Sequence, residues 1–384
     1  MWRLGLSGRI AAVAGLLAWL SPRLGRAEDS ITYKYQNYRE SGGRIGVQAQ
    51  YGLLEKDLGP DMHFKLQGVI DAIAGATPNG EPPLTPDGQV PLTDLHDRRK
   101  AWSTEFARQF PRVNIALGFA NSRESDYVSN GWSLNTVTDF NQKNTTLLLG
   151  LAFTDDDVRV LYLRRDEKKR STDFIVGVTQ LLNPATSVTF NVGYGSSSGF
   201  LGDPYRLIQK RVEVLPNVFL PIDYGESRPH ERDKWTAYAS INHAFADLHG
   251  AAELSYRYYH DTFGSRAHTI EAAWFQSIGD HVIVSPSVRY YEQNAADFYL
   301  LSLNGQSFTP SFFPNSAGPY YSSDYRLSAF RSYNVGLKLI WKINGSWQID
   351  AAIEQYKMEG RDSITSPSVY PTATTKTVGL KFTW

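Results

Sequence analysis

Two-residue alternation runs to the last residue of this chain. In the closing TVGLKFTW, Val378, Leu380, Phe382 and Trp384 are apolar, while Thr377, Gly379, Lys381 and Thr383 are small or polar. Side chains of an extended strand point alternately to its two faces, so this segment has one apolar face and one wettable face. A free chain end frays. One that keeps its alternation and ends on tryptophan is expected to be tied into a sheet.

The same period recurs along almost the whole chain. In MHFKLQGVIDA, Phe64, Leu66, Gly68 and Ile70 alternate with Lys65, Gln67 and Asp71. TSVTFNVGYG sets Val188, Phe190, Val192 and Tyr194 against Thr189, Asn191 and Gly193; SWQIDAAIEQY sets Trp347, Ile349 and Ile353 against Gln348, Asp350 and Glu354. No stretch of 15 residues carries a helical period. Strands are expected over 31–40, 44–55, 62–73, 98–110, 112–122, 130–140, 144–155, 172–182, 186–196, 233–246, 250–261, 267–278, 281–294, 327–343, 346–357 and 373–384. That is about sixteen, an even number that returns both ends to one side of a membrane.

Short polar turns, among them LGPD at Leu58–Asp61, NQKN at Asn141–Asn144 and NGS at Asn344–Ser346, alternate with longer connections. The longest of these lie near 74–97, 197–232 and 295–325. A transmembrane β-barrel has this arrangement, with short turns on the periplasmic side and longer loops outside. Trp102, Phe106, Phe110, Trp132, Phe140, Trp235, Trp341, Trp347, Phe382 and Trp384 fall near strand ends, as in the two aromatic girdles of such a barrel. A soluble sandwich or propeller also alternates, but needs neither outward apolar faces on every strand nor two classes of loop. The expected fold is therefore all-β, a transmembrane antiparallel barrel of about 16 strands.

The N-terminus fits that destination. Arg3 and Arg9 precede the apolar run IAAVAGLLAWL over residues 10–20, and Gly25 and Ala27 supply small residues for cleavage after Ala27. Eleven apolar residues make a signal core and are too few to span a bilayer as a helix. Residues 1–27 are expected to be a signal peptide and 28–384 a single barrel domain. No later segment has 18 consecutive apolar residues. With 39 basic and 39 acidic side chains, bulk charge argues for no nucleic-acid partner. The absence of cysteine removes disulfides, thiol catalysis and thiolate-bound metals.

In a barrel the polar side of each strand faces the lumen. On the last six strands that side carries Glu253, Arg257, Asp261, Glu271, Arg289, Lys338, Lys342, Asp350, Glu354 and Lys381. These are the expected lumen-lining charges, with Arg257, Glu271 and Arg289 at similar depth. Charged rings tune what passes a channel. The plainer reading is an ion-pair network that fills and stiffens the interior, and the strand-to-strand alternation of sign favours such pairs. Lys381 is expected to meet Asp350 or Glu354 on the neighbouring strand, while Val378, Leu380, Phe382 and Trp384 face lipid.

Other chemistry is sparse. GYGSSSG at Gly193–Gly199 looks like a phosphate loop, yet no helix pattern follows it. His260, His268 and Asp261 flank a tight hairpin and could reach one metal, though eight scattered histidines make chance placement the better account. Asp155, Asp156 and Asp157 lack the remaining spacing of a calcium loop. There is no G-x-S-x-G and no H-E-x-x-H. No catalytic residue, metal or cofactor is expected, and enzyme activity is not expected.

DAIAGATPNG (Asp71–Gly80), SRESDYVSNGWSLNTVTDFNQKNTTLLLGLAF (Ser122–Phe153), TQLLNPATSVTFNVGYGSSSGFLGDPYR (Thr179–Arg206) and RYYHDTFGSRAHTIEAAWFQSIGDHVIVSPSVRYYEQNAADFY (Arg257–Tyr299) resemble the bacterial family catalogued as domain of unknown function 3570. The resemblance implies an exported outer-membrane barrel of a Gram-negative bacterium, bedded in outer-membrane lipid. It implies that the last strand is an address for the barrel-assembly machinery, where Trp384 departs from the usual phenylalanine. The expected function is a channel or transporter for a small polar solute. The alternative is a structural barrel docking another envelope or redox protein, and a barrel-embedded hydrolase comes last.

Overall fold

The computed structural model describes residues 29–384 apart from 86–87, 161, 164 and 314–316. The expected signal peptide, with Ala27, lies outside the described residues. Sixteen strands close one antiparallel barrel. In chain order these are β1 (Ser30–Glu40), β2 (Gly46–Asp57), β3 (Met62–Pro78), β4 (Leu92–Gln109), β5 (Val113–Arg123) and β6 (Tyr127–Phe140), then β7 (Thr145–Val160), β8 (Arg165–Asn183) and β9 (Thr186–Gly199). The remainder are β12 (Glu231–Phe245), β13 (Gly250–Asp261), β14 (Arg266–Ile278), β15 (Val282–Gln293), β16 (Phe330–Lys342), β17 (Trp347–Gly360) and β18 (Thr372–Thr383). β10 (Leu207–Leu215) and β11 (Val218–Gly225) form a separate hairpin in the segment between β9 and β12.

The last strand closes the sheet on the first. Ile31 pairs with Phe382, Tyr33 with Leu380 and Tyr35 with Val378. The Trp384 amide donates to the Asp29 carbonyl at 3.0 Å, beyond the ladder itself. Full closure leaves no unpaired edge, which is why the final strand keeps its pattern to the end. The alternation sorts side chains as a barrel requires. Ile31, Leu66, Leu117, Phe190, Leu254, Val335 and Val378 form part of an exposed apolar outer belt.

Ser30, Thr383 and the turns at 58–61, 110–112, 141–144, 184–185, 246–249, 279–281 and 343–346 share one end of the barrel, here the terminal end. The 141–143 turn among them has Asn141, Gln142 and Lys143 all at positive φ (48°, 55° and 70°). At the opposite, loop end, several strands run beyond the expected limits. β7 and β8 extend to Val160 and Arg165, so most of the stretch between the strands expected at 144–155 and 172–182 is itself strand. Its charges explain both the extension and why hydrophobic alternation did not find it. Asp156 faces inward and pairs with Lys169 at 3.2 Å, while outward Asp155 lies 3.8 Å from Arg170, and Asp157 pairs with Lys168. Charged cross-strand partners hold this stretch extended where no apolar face does.

The loops at this end fold together. Tyr325 packs with Val90, Phe330, Met358 and Val369, uniting the β3–β4, β15–β16 and β17–β18 connections over the barrel wall. Phe263 at the tip of the β13–β14 hairpin packs with Ala296, Phe298, Tyr299 and Leu327. Ile208 and Tyr224 of the β10–β11 hairpin pack with Leu303 and Tyr321. The largest fully buried side chains, Tyr321, Tyr325 and Phe263, thus lie in the loops and not between the sheet walls.

Candidate functional site

The register carries all ten expected charges on the face opposite the apolar belt. Glu271 and Arg289 are direct partners on β14 and β15. Arg257 lies two residues from Ser255, the β13 partner of Glu271. Arg289 is opposite Asn334, whose Nδ2 donates to Glu354 at 3.1 Å. A belt of alternating charge therefore crosses β13 to β17 at one level. The Arg257 guanidinium lies 5.8 Å from the Tyr238 ring centroid, so an aromatic face on β12 extends the row. Among the described residues, Glu253, Arg257, Glu271, Arg289, Lys338, Lys342 and Glu354 make no ion pair.

Inward ion pairs among the described residues lie toward the seam, on the first four strands, and near the loop end of β7, β8 and β12. Lys34 on β1 reaches Asp350 at 3.8 Å, and Lys381 reaches Glu55 on β2 at 3.8 Å. This corrects the expected Lys381 partner. Lys381 is opposite Gln348 on β17, so β1 and β2 supply its anion, and Asp350 is taken by Lys34. Lys65 and Glu105 lie 3.5 Å apart, and Arg99 Nε donates to Asp71 at 2.9 Å. The polar periodicity of MHFKLQGVIDA marked Lys65 and Asp71, but their partners follow only from the register.

The wall from β5 to β9 is different. Its inward positions include Ala116, Gly118, Ser133, Asn135, Gly150, Gly177, Asn191 and Gly193. A Cβ at Gly177 would stand 2.1 Å from Asn191 Oδ1, and one at Gly118 would stand 2.4 Å from Ser133 Oγ. The glycines let neighbouring polar groups lie flat against the sheet. At mid-height this side of the lumen is thin and neutral, and its inward charges, Asp156 with Lys169 and Asp173 with Lys234 at 3.3 Å, lie toward the loop end.

One reading changes, and two weaker alternatives can be placed. Asp261 is not an open lumen charge: it is fully buried beneath the β13–β14 hairpin. It accepts from Arg232 Nε at 2.9 Å, Tyr259 Oη at 2.6 Å and the Phe263 and Ser265 amides at 3.0 Å each, so it holds the turn. His260 and His268 share no metal with it, because they face outward. His260 stacks on Trp235 with ring centroids 5.7 Å apart, and His268 Nδ1 is 2.7 Å from the Tyr256 hydroxyl. Asp156 faces inward while Asp155 and Asp157 face outward, so the three aspartates form no calcium loop. The acidic group that does converge, Asp97, Glu124 and Asp126, was not singled out in the sequence; it is assembled by the β4–β5–β6 register at the loop end.

Above the lumen the charges are paired and buried. Arg326 Nε donates to Asp324 Oδ1 at 2.8 Å, and its Nη2 donates to Asp203 at 2.5 Å. Arg228 bridges Asp324 at 3.0 Å and Glu226 at 2.7 Å, while Arg206 lies 4.0 Å from Asp324 and donates to the Pro78 carbonyl. Ser322 Oγ donates to Glu226 at 2.6 Å. Burial alone would push the Asp324 carboxyl up; the Arg326, Arg206 and Arg228 guanidiniums outweigh it and hold it well below the usual range. Glu226 goes the other way: its burial, helped by Asp324 and Asp203, outweighs Arg228 and raises it. The network joins 200–230 to 294–329, and Ser323 Oγ adds the β3–β4 loop by donating to the Gly80 carbonyl at 3.1 Å. A cavity of about 10 Å³, barely room for one water, lies between Pro78, Arg206, Tyr299, Tyr325 and Val369. Together these loops form a cap on the loop end.

No curated protein matches the sequence. Among solved structures, a bacterial polysaccharide outer membrane secretin aligns with 94% of this chain and 99% of its own at 7% identity and a TM-score of 0.51, a likeness of fold. The siderophore receptor PirA from Pseudomonas aeruginosa aligns over 92% of this chain at 10% identity and a TM-score of 0.45, and this chain spans 60% of that receptor's length. The CymD monoaromatic hydrocarbon channel aligns over 93% of this chain and 88% of its own, at 8% identity and a TM-score of 0.43. The family described as protein of unknown function (DUF3570) matches residues 18–384, and the chain belongs to it.

Proposed function

We propose that this member of the DUF3570 family is an outer-membrane barrel of a Gram-negative bacterium that passes a small polar solute, with the loop cap as its gate. One contrast carries the reading: lumen-wall charges without ion-pair partners lie beneath cap charges that are paired and buried. A sixteen-stranded barrel is wide enough for an aqueous channel. Unpaired Arg257, Arg289 and Glu271 offer a solute both signs of charge at one level, as a selective constriction does. The terminal end then faces the periplasm and the capped end the outside.

The test is solute-driven swelling of liposomes containing the purified barrel, for wild type and Asp324→Asn. Swelling by small sugars or amino acids, faster in the variant, is expected. Rates equal to empty liposomes for both proteins would overturn the reading.

A docking barrel is the second reading, favoured by the β10–β11 hairpin tip. Leu215, Phe219 and Leu220 there are 63%, 51% and 51% exposed, an apolar patch of the kind that marks interaction sites. Stoichiometric recovery of one envelope protein, with no swelling, would select it. A barrel hydrolase has the least support, since His260 and Asp261 point to opposite faces. The last strand is also proposed as the element read by the barrel-assembly machinery. Deleting Phe382–Trp384, which removes the Phe382–Trp347 contact at 4.6 Å, is expected to abolish insertion. A heat-modifiable barrel still reaching the outer membrane would refute this.

A further inference from the structure

The outer wall carries a polar depression where the sheet closes. It has a volume of about 580 Å³ and is lined by Asn37, Arg39, Gln355, Thr374 and Lys376 among others. These positions are the outward ones of β1, β17 and β18. The register fixes their height. One step toward the terminal end, Tyr35 is opposite Val378, and Ile353 is opposite Lys376 itself. Tyr35, Ile353 and Val378 are exposed and end the apolar belt on these three strands. The depression therefore begins where the belt stops, at the level of lipid headgroups.

Its charge is of one sign where it is available. Arg39 and Lys376 are exposed and make no ion pair among the described residues. The one carboxylate at the rim, Glu40, is buried and engaged, 3.0 Å from Arg44 and accepting from the Tyr38 hydroxyl at 3.1 Å. Thr374 Oγ1 donates to Gln355 Oε1 at 2.8 Å, which leaves the Gln355 amide group as a further donor toward the hollow. Two free cations with neutral donors, set directly above apolar side chains, complement an amphiphile with an anionic head.

We infer that this depression binds the phosphorylated headgroup of an outer-leaflet lipid. The phosphate sits between Arg39 and Lys376, and the acyl chains lie along Tyr35, Ile353 and Val378. The bound lipid spans the β1–β18 seam and clamps the first strand to the last. The inference rests on the membrane location proposed above, but not on transport.

The test is native mass spectrometry of the purified barrel in detergent with diphosphorylated lipid A, its dephosphorylated form, or inorganic phosphate. One retained diphosphorylated lipid is expected, with little retention of the dephosphorylated form and no displacement by millimolar phosphate. Arg39→Gln with Lys376→Gln is expected to weaken binding about thirty-fold, roughly five-fold per cation removed. Arg39→Lys with Lys376→Arg should retain it, and heat-modifiable migration checks that each variant is folded. Equal retention by the Gln variant, equal binding of the dephosphorylated lipid, or displacement by inorganic phosphate would each overturn the assignment. Because swelling is measured on the same proteins, failure here leaves the transport reading standing on its own result.

Discussion

The lumen wall and the loop cap use the same side chains to opposite ends. On the wall, Arg257, Glu271 and Arg289 share a level and stay apart; in the cap, Arg228 and Arg326 are held on Asp324 at 3.0 and 2.8 Å. The difference follows from solvent. A charge that stays hydrated gains little from an ion pair, so the wall tolerates both paired acids such as Glu105 and unpaired ones such as Glu271. Loops packed over Tyr325 lose that water, and each buried charge must find a partner or destabilise the fold. Paired charges thus mark structure in this molecule, and unpaired ones mark the surface left for something else.

The largest expected effect breaks the paired side. Asp324→Asn leaves three guanidiniums short of a carboxylate, and breaking a buried pair costs about 3–5 kcal/mol. Hydrogen exchange should rise by orders of magnitude in 200–230 and 294–329 while the β3–β8 strands keep their protection. Equal loss of protection in the strands would mean that cap and barrel are one cooperative unit.

A second test separates the acids within the cap by pH. Asp324 and Asp203 are both held low, Asp203 by Arg326 and Arg206 against its own burial. Their contribution is fully present above the unfolded carboxylate value of about 4 and is lost as pH falls through their lower folded values. Glu226 is raised, so its term is lost as pH rises from the unfolded value through the folded one. Glu226→Gln should therefore leave the cap at pH 7 as protected as wild type, or more so, by no more than about 1 kcal/mol. Marked loosening at pH 7 would show that the Glu226 charge is needed there.

The smallest expected stability effect falls on the unpaired side. Arg289→Glu breaks no ion pair but sets a second carboxylate opposite Glu271, and should lower stability by about 0.5 kcal/mol. It should nevertheless move the ion preference of the lumen toward cations, read as a reversal potential across a salt gradient. A large drop in thermal stability would assign Arg289 to the scaffold.

How much of this could be read from the sequence depends on which step register enters. Alternation alone locates sixteen strands and the face each charge occupies, because a strand's period is local. Partners are not local. Lys381 finds Glu55 across β1, and Arg326 finds Asp203 from 123 positions away, so neither pair has a sequence signature. The β7–β8 extension is hidden for a related reason: its strands are held by Asp156–Lys169 and their charged neighbours, and hydrophobic periodicity has nothing to detect. Asp261 was placed on the correct face, but its burial under Phe263 depends on the loops above.

The most direct measurement is ion current through single barrels in planar bilayers, for wild type, Asp324→Asn, and Asp324→Asn with Arg289→Glu. A gated lumen with a charged wall predicts rare openings in wild type, frequent ones in Asp324→Asn, and a reversal potential that shifts toward cations when Arg289→Glu is added. An Asp324→Asn barrel whose loops exchange freely but which carries no current would contradict it.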